Sequence, residues 1–189
     1  MELLKKKIVE CGKLLDGDII KVDMFLNHQL DVCLLNEIGK EFKRLFPSDK
    51  ITKILTAEAS GIAVAAIAGI HFGIPVVFAK KGNPKNICKD AYTAQVYSYT
   101  KNTSHQIRVS REYLTPNDRV LIIDDFLANG QAVKGLLDIT QQSGASLEGI
   151  GIVIEKGFQE GGKIIRERGI NLKSLAIIDE VKDGKIIFR

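Results

Sequence analysis

Apolar residues follow two different rhythms along this chain. Before residue 48 they fall at helical intervals, with Leu3, Leu4, Ile8 and Cys11 in one stretch and Leu30, Leu34, Ile38 and Phe42 in another. The first set predicts a helix from Met1 to about Leu15; the second predicts one from Leu26 to Phe46, stopped by Pro47. Between them, Ile20, Val22 and Met24 alternate with other residues over Asp18–Phe25, which reads as a strand. From Ile51 onward the rhythm changes to short runs of branched residues: Ile51–Thr56, Ile74–Ala79, Val120–Asp124, Ile150–Ile154 and a briefer one at Ala176–Ile178. Helical segments separate them, and Gly144 ends one. Strands alternating with helices predict an α/β fold with an open, mainly parallel, doubly wound sheet flanked by helices. The runs are continuously apolar because a central parallel strand is covered on both faces.

Composition narrows this without changing it. With 189 residues at 45% hydrophobic content, one domain with a full core is the expectation. A charged fraction of 26% and a net charge of +4 suit a soluble protein with anionic ligands. No basic helix with interleaved aromatics and no zinc-finger spacing is present, so no nucleic-acid partner is expected. Gly61–Ala79 carries no formal charge and would be long enough to span a membrane, but Gly73 and Pro75 divide it into an alanine-rich helix and a buried strand. Cys11, Cys33 and Cys88 are odd in number and unpaired by motif, and no secretory signal is evident; free thiols in a reducing cytoplasm are expected. None of the three sits in a nucleophile context.

The chemistry concentrates at Val120–Ala132. Four branched residues run into Asp124 and Asp125, then the small-residue loop Ala128-Asn129-Gly130-Gln131-Ala132, then a helical run through Val133, Leu136, Leu137 and Ile139. The loop therefore lies at the carboxyl end of a buried strand, where open α/β sheets bind ligands, and its backbone N–H groups face an anion at the helix start. A phosphate beside two carboxylates makes sense if the phosphate is that of a sugar phosphate, the acids accepting bonds from its ring hydroxyls. Alone, an Asp-Asp pair is an acidic strand end; the complete strand, acid, loop and helix pattern favours the site. A Gly149-x-Gly151 pair precedes its strand instead of following it, which excludes a dinucleotide fingerprint.

This pattern resembles the phosphoribosyl pyrophosphate (PRPP) motif of the type I phosphoribosyltransferases. Much of that family has Thr-Gly-x-Thr in the loop; here it reads Asn129-Gly130-Gln131-Ala132, so phosphate contacts fall to backbone amides and to the Asn129 and Gln131 side chains. The wording DDFLANGQA, with Lys21-Val22-Asp23, Phe25–Gln29, Glu58-Ala59-Ser60-Gly61, VVFAKK and Gly149–Lys156, is similar to the xanthine phosphoribosyltransferases of bacteria along nearly the whole chain.

The resemblance implies that fold, with a small hood built from the N-terminal segment and the C-terminal region. It divides the single domain 1–189 into N-terminal helices and hood (1–48), a core sheet (49–160) with a flexible loop at about 81–108, and a C-terminal part (161–189). It implies transfer of the phosphoribosyl group from PRPP to xanthine, giving xanthosine 5′-monophosphate and pyrophosphate, with Mg²⁺ carried on the PRPP, and a homodimer. Asp124 and Asp125 would be catalytic. Ala128–Ala132, Ser60, Gly61, Lys80 and Lys81 would bind PRPP; Ile20 (through its backbone), Asn27 and Lys156 would meet the base.

Several of these residues also have plainer readings. Ser60 can be an ordinary helix cap. Seven lysines and arginines lie between Val76 and Arg111 against one acid, Asp90, and such a run is usually a solvated face. Tyr97 and Tyr99 suit either a covering loop or hairpin packing. Lys156, a pure donor, suits the oxygen-rich xanthine, or is a solvated strand-end lysine. Adenine or guanine/hypoxanthine remain open as bases, as does a non-catalytic PRPP-sensing regulator.

Overall fold

The structure, a computed structural model, describes residues 1–15, 19–82, 90–98, 103–182 and 184–189. In chain order the elements are α1 (Glu2–Cys11), β1 (Lys13–Leu15), β2 (Ile19–Lys21), a π-helical segment (Asp23–Asn27), α2 (Val32–Leu45), β3 (Lys53–Ala57), α3 (Ser60–Phe72), β4 (Val76–Lys81), β5 (Ala91–Ser98), β6 (Thr103–Ser110), β7 (Arg119–Leu127), α4 (Gln131–Ser143), β8 (Ser146–Lys156), α5 (Glu160–Glu167), β9 (Leu172–Lys182) and β10 (Lys185–Phe188).

Eight strands form one sheet in the order β10-β9-β8-β7-β3-β4-β6-β5. The centre, β9 through β4, is parallel; β10 and the β5–β6 pair join antiparallel at its two edges. Strand β7 shows why the runs are apolar throughout. Leu121 and Ile123 pack with α2 and α3 on one face, while Val120 and Ile122 pack with α4 and Ile165 of α5 on the other, all fully buried or nearly so. The parallel doubly wound expectation is thus met, with antiparallel edges added.

The Gly149-x-Gly151 pair has a packing role. A Cβ on Gly149 would lie 2.6 Å from the Phe46 ring, and one on Gly151 would lie 2.8 Å from the Phe42 ring. Both glycines let α2 seat on β8. Helix α3 ends at Gly73 with φ 69, whose N–H bonds the Gly69 carbonyl at 2.8 Å, and Pro75 follows. Among the described residues, no helix is long and apolar enough to cross a membrane.

The N-terminal segment departs from the expected pattern. The strand stops at Lys21, and helix α2 starts at Val32 instead of Leu26, because Asp31 caps it by accepting the Leu34 N–H at 3.1 Å. Leu30, counted among the core positions of that helix, is 44% exposed. Helix α1 likewise ends at Cys11, short of Leu15. The hairpin β5–β6, helix α5 and strand β10 were not anticipated from periodicity.

Candidate active site

From β3 the chain crosses through α3 to β4 on one side; from β7 it crosses through α4 to β8 on the other. The loops after β3 and β7 therefore part between two adjacent strands, and a crevice opens at their carboxyl ends. Its volume is about 340 Å³. Four strand ends supply its walls: Ala57, Glu58 and Ser60 after β3, Lys81 ending β4, Asp124–Leu127 ending β7, and Lys156 ending β8.

Asp124 and Asp125 lie at its floor, 4% and 6% exposed. The Asp125 N–H donates to Asp124 Oδ1 at 3.1 Å. Burial pushes the Asp124 carboxyl well above its ordinary range, the Asp125 charge adds to this, and Lys81 partly offsets it. Burial also raises Asp125, against bonds from Ser60 and Asp124. Both acids thus sit in low dielectric, and among the described residues no cation forms an ion pair with either, which is a site prepared for donors and positive charge. Helix α3 presses on this pair. A Cβ on Gly61 would overlap the Thr56 hydroxyl and lie 2.6 Å from Asp124 Oδ1, so only glycine fits there. Thr56 Oγ1 is buried and has no hydrogen-bond partner among the described residues.

The phosphate-loop candidate, Ala128–Ala132, lines the crevice throughout. Gly130 adopts φ 77 at the N-terminus of α4, where no side chain caps the helix and the first turn carries no acid. The first N–H groups of α4 therefore have no intrahelical acceptor, and the helix dipole adds to their preference for an anion. Gly161 braces the loop from behind, its N–H bonding the Ala128 carbonyl at 3.1 Å.

After β3 the Glu58–Ala59 peptide is cis, and α3 begins at Ser60 itself, with Ala59 in the cap position and no side-chain cap bond. Ser60 is therefore not the expected cap; its hydroxyl bonds Asp125 instead. Glu58 accepts the Lys81 backbone N–H at 2.5 Å, tying the ends of β3 and β4 together.

The paired lysines separate. Lys81 lines the crevice, whereas Lys80 does not; its Nζ lies 5.8 Å from the centre of the Phe78 ring. Gly61 stands behind the lining, against Thr56 and Asp124. On the base side, Lys156 lines the crevice, half-buried. Ile20 is buried in the β2 strand and Asn27 is exposed at the end of the π-helical segment; neither lines the crevice. Tyr97 does line it, from β5, while Tyr99, Lys85, Lys89 and Lys101 fall outside the described residues. Arg111 pairs with Asp90 at 2.8 Å, so that member of the basic run has a structural partner. Glu58, expected within the pyrophosphate-binding turn Glu58–Gly61, lines the site, as do Val96, His105, Ile107 and Gln159, which were not assigned roles from sequence. For Val96 and Ile107 the only signal was alternation along two strands in a stretch read for its charge.

Across 189 residues, covering 100% of both chains, the protein is 56% identical to the xanthine phosphoribosyltransferase of Clostridium novyi (strain NT). It is 57% identical, again over 100% of each chain, to the xanthine phosphoribosyltransferase of Laribacter hongkongensis (strain HLHK9). Among solved structures it resembles the adenine phosphoribosyltransferase of Trypanosoma brucei in complex with AMP, pyrophosphate and ribose-5-phosphate, with a TM-score of 0.76 at 18% identity over 92% of this chain and 78% of that one. The adenine phosphoribosyltransferase of Rhodothermus marinus DSM 4252 aligns with a TM-score of 0.73 at 16% identity, over 94% of this chain and 100% of that one. At such identities the likeness is one of fold. No family model matches the chain.

Proposed function

This chain belongs to the xanthine phosphoribosyltransferases, and from that premise we infer how its crevice moves a phosphoribosyl group from PRPP to xanthine in purine salvage. The observation that carries the residue assignment is the buried Asp124–Asp125 pair beside the uncapped start of α4. One surface takes the diol of a sugar; the other takes its phosphate.

The 5′-phosphate rests on Ala128–Ala132, bonded by backbone N–H groups and by the Asn129 and Gln131 side chains. Asp124 and Asp125 accept from the ribose hydroxyls. As the bond to pyrophosphate lengthens, positive charge develops on the ribose, and the two carboxylates below it stabilise that charge because burial keeps water from screening them. Lys81 and Ser60 face the departing pyrophosphate, with Gly61 behind them allowing α3 to approach the acids; Lys80, further out, contributes charge without contact. Lys156 donates to an oxygen of the base, while Asn27 and Ile20, which lie outside the crevice lining, belong to the hood segment beside it. Most of the rate then comes from orientation and electrostatics.

The crevice carboxylates of Glu58, Asp124 and Asp125 are hard oxygen donors of the kind Mg²⁺ takes. Among the described residues no group of three His, Cys, Asp or Glu side chains converges to hold a metal alone. The donor set fits an ion that arrives on PRPP, where it would neutralise charge on the leaving group.

The same reading makes the chain a single domain, with 1–48 as hood, 49–160 as core sheet and 161–189 as the C-terminal part. It also makes the protein a cytoplasmic homodimer, consistent with the free thiols of Cys11 and Cys33. The decisive experiment is a panel of purines with PRPP and Mg²⁺, followed by nucleotide formation. Fastest turnover with xanthine is expected; a preference for adenine, or DNA binding without turnover, would refute the assignment.

A further inference from the structure

We infer that α5 is a clamp that fixes the base-side lysine and the phosphate loop relative to each other, with Glu155, Arg166 and Gly161 as positioning residues for both substrates. This rests on the placement of xanthine at Lys156 and of the 5′-phosphate at Ala128–Ala132 given above.

One end of the clamp is an ion pair. Glu155, the residue before Lys156 on β8, has a side chain only 2% exposed. Both of its oxygens are taken by one guanidinium: Arg166 Nη1 reaches Oε1 at 2.6 Å and Nη2 reaches Oε2 at 2.7 Å. A third bond comes from the Ser174 hydroxyl on β9. The planar fork fixes the direction as well as the distance of the contact, which a lysine would not. Gly162, in the first turn of α5, lies so close above this carboxylate that a Cβ there would overlap Glu155 Oε1.

The other end is backbone against backbone. The Gly161 N–H bonds the Ala128 carbonyl at 3.1 Å. A Cβ on Gly161 would overlap that carbonyl and lie 2.8 Å from the Gly130 nitrogen and 3.0 Å from the Asn129 carbonyl carbon. Between the two ends, the Gln159 N–H returns to the Lys156 carbonyl at 2.9 Å, and the Gly157 N–H bonds Ile178 of β9 at 2.7 Å. Lys156 therefore sits in a closed circuit running from Glu155 through α5 to the phosphate loop.

The pair is buried on the Glu155 side and exposed at Arg166; ion pairs in such positions add little net stability compared with an apolar replacement, and their best-attested use is to fix a unique arrangement. Here the arrangement is the spacing between a phosphate site and a base site, which must match one nucleotide. Neither Glu155 nor Arg166 lines the crevice, so their effect passes through Lys156 and the Ala128 loop.

The test is steady-state kinetics on Arg166→Met, Arg166→Lys, Gly161→Ala and Lys156→Ala, using protein shown to be folded by circular dichroism and gel filtration. Arg166→Met and Gly161→Ala should each raise KM for xanthine and for PRPP about tenfold or more, because small misplacements of bound reactants are expensive. Lys156→Ala should raise the xanthine KM alone. Arg166→Lys, which keeps the charge and loses the fork, should fall between wild type and Arg166→Met. A folded Arg166→Met variant with lower Tm but unchanged KM values would overturn the clamp and leave only a brace. So would a Gly161→Ala variant affected in PRPP alone. If Arg166→Met does not fold, Arg166→Lys and Gly161→Ala decide by the same criteria. A wild-type protein inert with xanthine and PRPP would overturn the substrate placement itself, whereas active wild type with unmoved variants overturns the clamp alone.

Discussion

Replacing Asp124 by Asn should make the protein more stable and nearly inactive. Asn has the same shape, so the tight contact with Gly61 is preserved. Its Oδ1 can still accept the Asp125 N–H, and its amide can donate to the Asp125 carboxylate. What disappears is one of two adjacent charges that are 4% and 6% exposed. Burial and the Asp125 charge raise the Asp124 carboxyl above its ordinary range. Between the ordinary value and the raised one, the folded protein binds more protons than the unfolded chain, so wild-type stability falls as pH rises through that window. Above it the full penalty applies. A single stabilising substitution is commonly worth about 0.5–2 kcal/mol, and relief of a destabilised active site is one route to it. For a chain of this size each kcal/mol moves Tm by about 2–4 °C, so a gain of a few degrees is expected at pH 8. The gain should shrink on acidification and vanish near the ordinary carboxylate pKa, where wild type is neutral too. The kcat should fall about 100–1,000-fold, as when one preorganised transition-state contact is lost. Calorimetry from pH 8 to pH 4 and steady-state rates on the same samples test this. An Asn variant no more stable than wild type at pH 8, or with a gain independent of pH, would refute the view that ionising this buried pair costs the fold stability.

Lys156→Ala is expected to raise the xanthine KM about tenfold or more with little change for PRPP, measured by varying each substrate at saturation of the other. Gly130→Ala places a Cβ at φ 77 and 3.3 Å from the Gly161 Cα, so it should lower stability by about 1–2 kcal/mol and raise the PRPP KM, read by thermal unfolding and kinetics. Asp118, far from the crevice lining, shows the opposite electrostatics to Asp124. Burial favours its neutral form, but bonds from the Thr115 N–H, Lys53 and the Thr115 and Thr52 hydroxyls outweigh that and hold its carboxyl below the ordinary value. Its contribution is therefore present above the ordinary carboxylate pKa and is lost as pH falls through the lowered one. Asp118→Asn should cost about 1–3 kcal/mol near neutral pH in denaturant titration and leave both KM values unchanged.

The sheet's central strands and the loop between β7 and α4 could be read directly because their determinants are local. Four branched residues before Asp124 need burial on both faces, and Gly130 followed by a helical run needs a turn, whatever surrounds them. The same locality explains the errors at the N-terminus. Leu26 and Leu30 continue a helical spacing, yet Asp31 offers a better cap, and the competition between these starts is settled by a single side-chain bond. The β5–β6 hairpin was hidden because its charges drew the reading and its alternation was short.

What lay beyond the sequence is the convergence of segments far apart in it. Adjacent lysines carry no mark of which one lines the crevice; the register of β4 against β6 and the bond from the Lys81 N–H to Glu58, 23 residues earlier, settle that. Gly149 and Gly151 were visible as glycines, but their reason, the Phe46 and Phe42 rings, lies about a hundred residues away. The perturbed acids are likewise an outcome of packing: the pair Asp124–Asp125 is written in the chain, while its burial beneath Gly61 exists only once α3 has crossed the sheet. Periodicity and turn chemistry are set by a few neighbouring residues, whereas proximity across strands depends on their order, which the whole hydrophobic core selects at once.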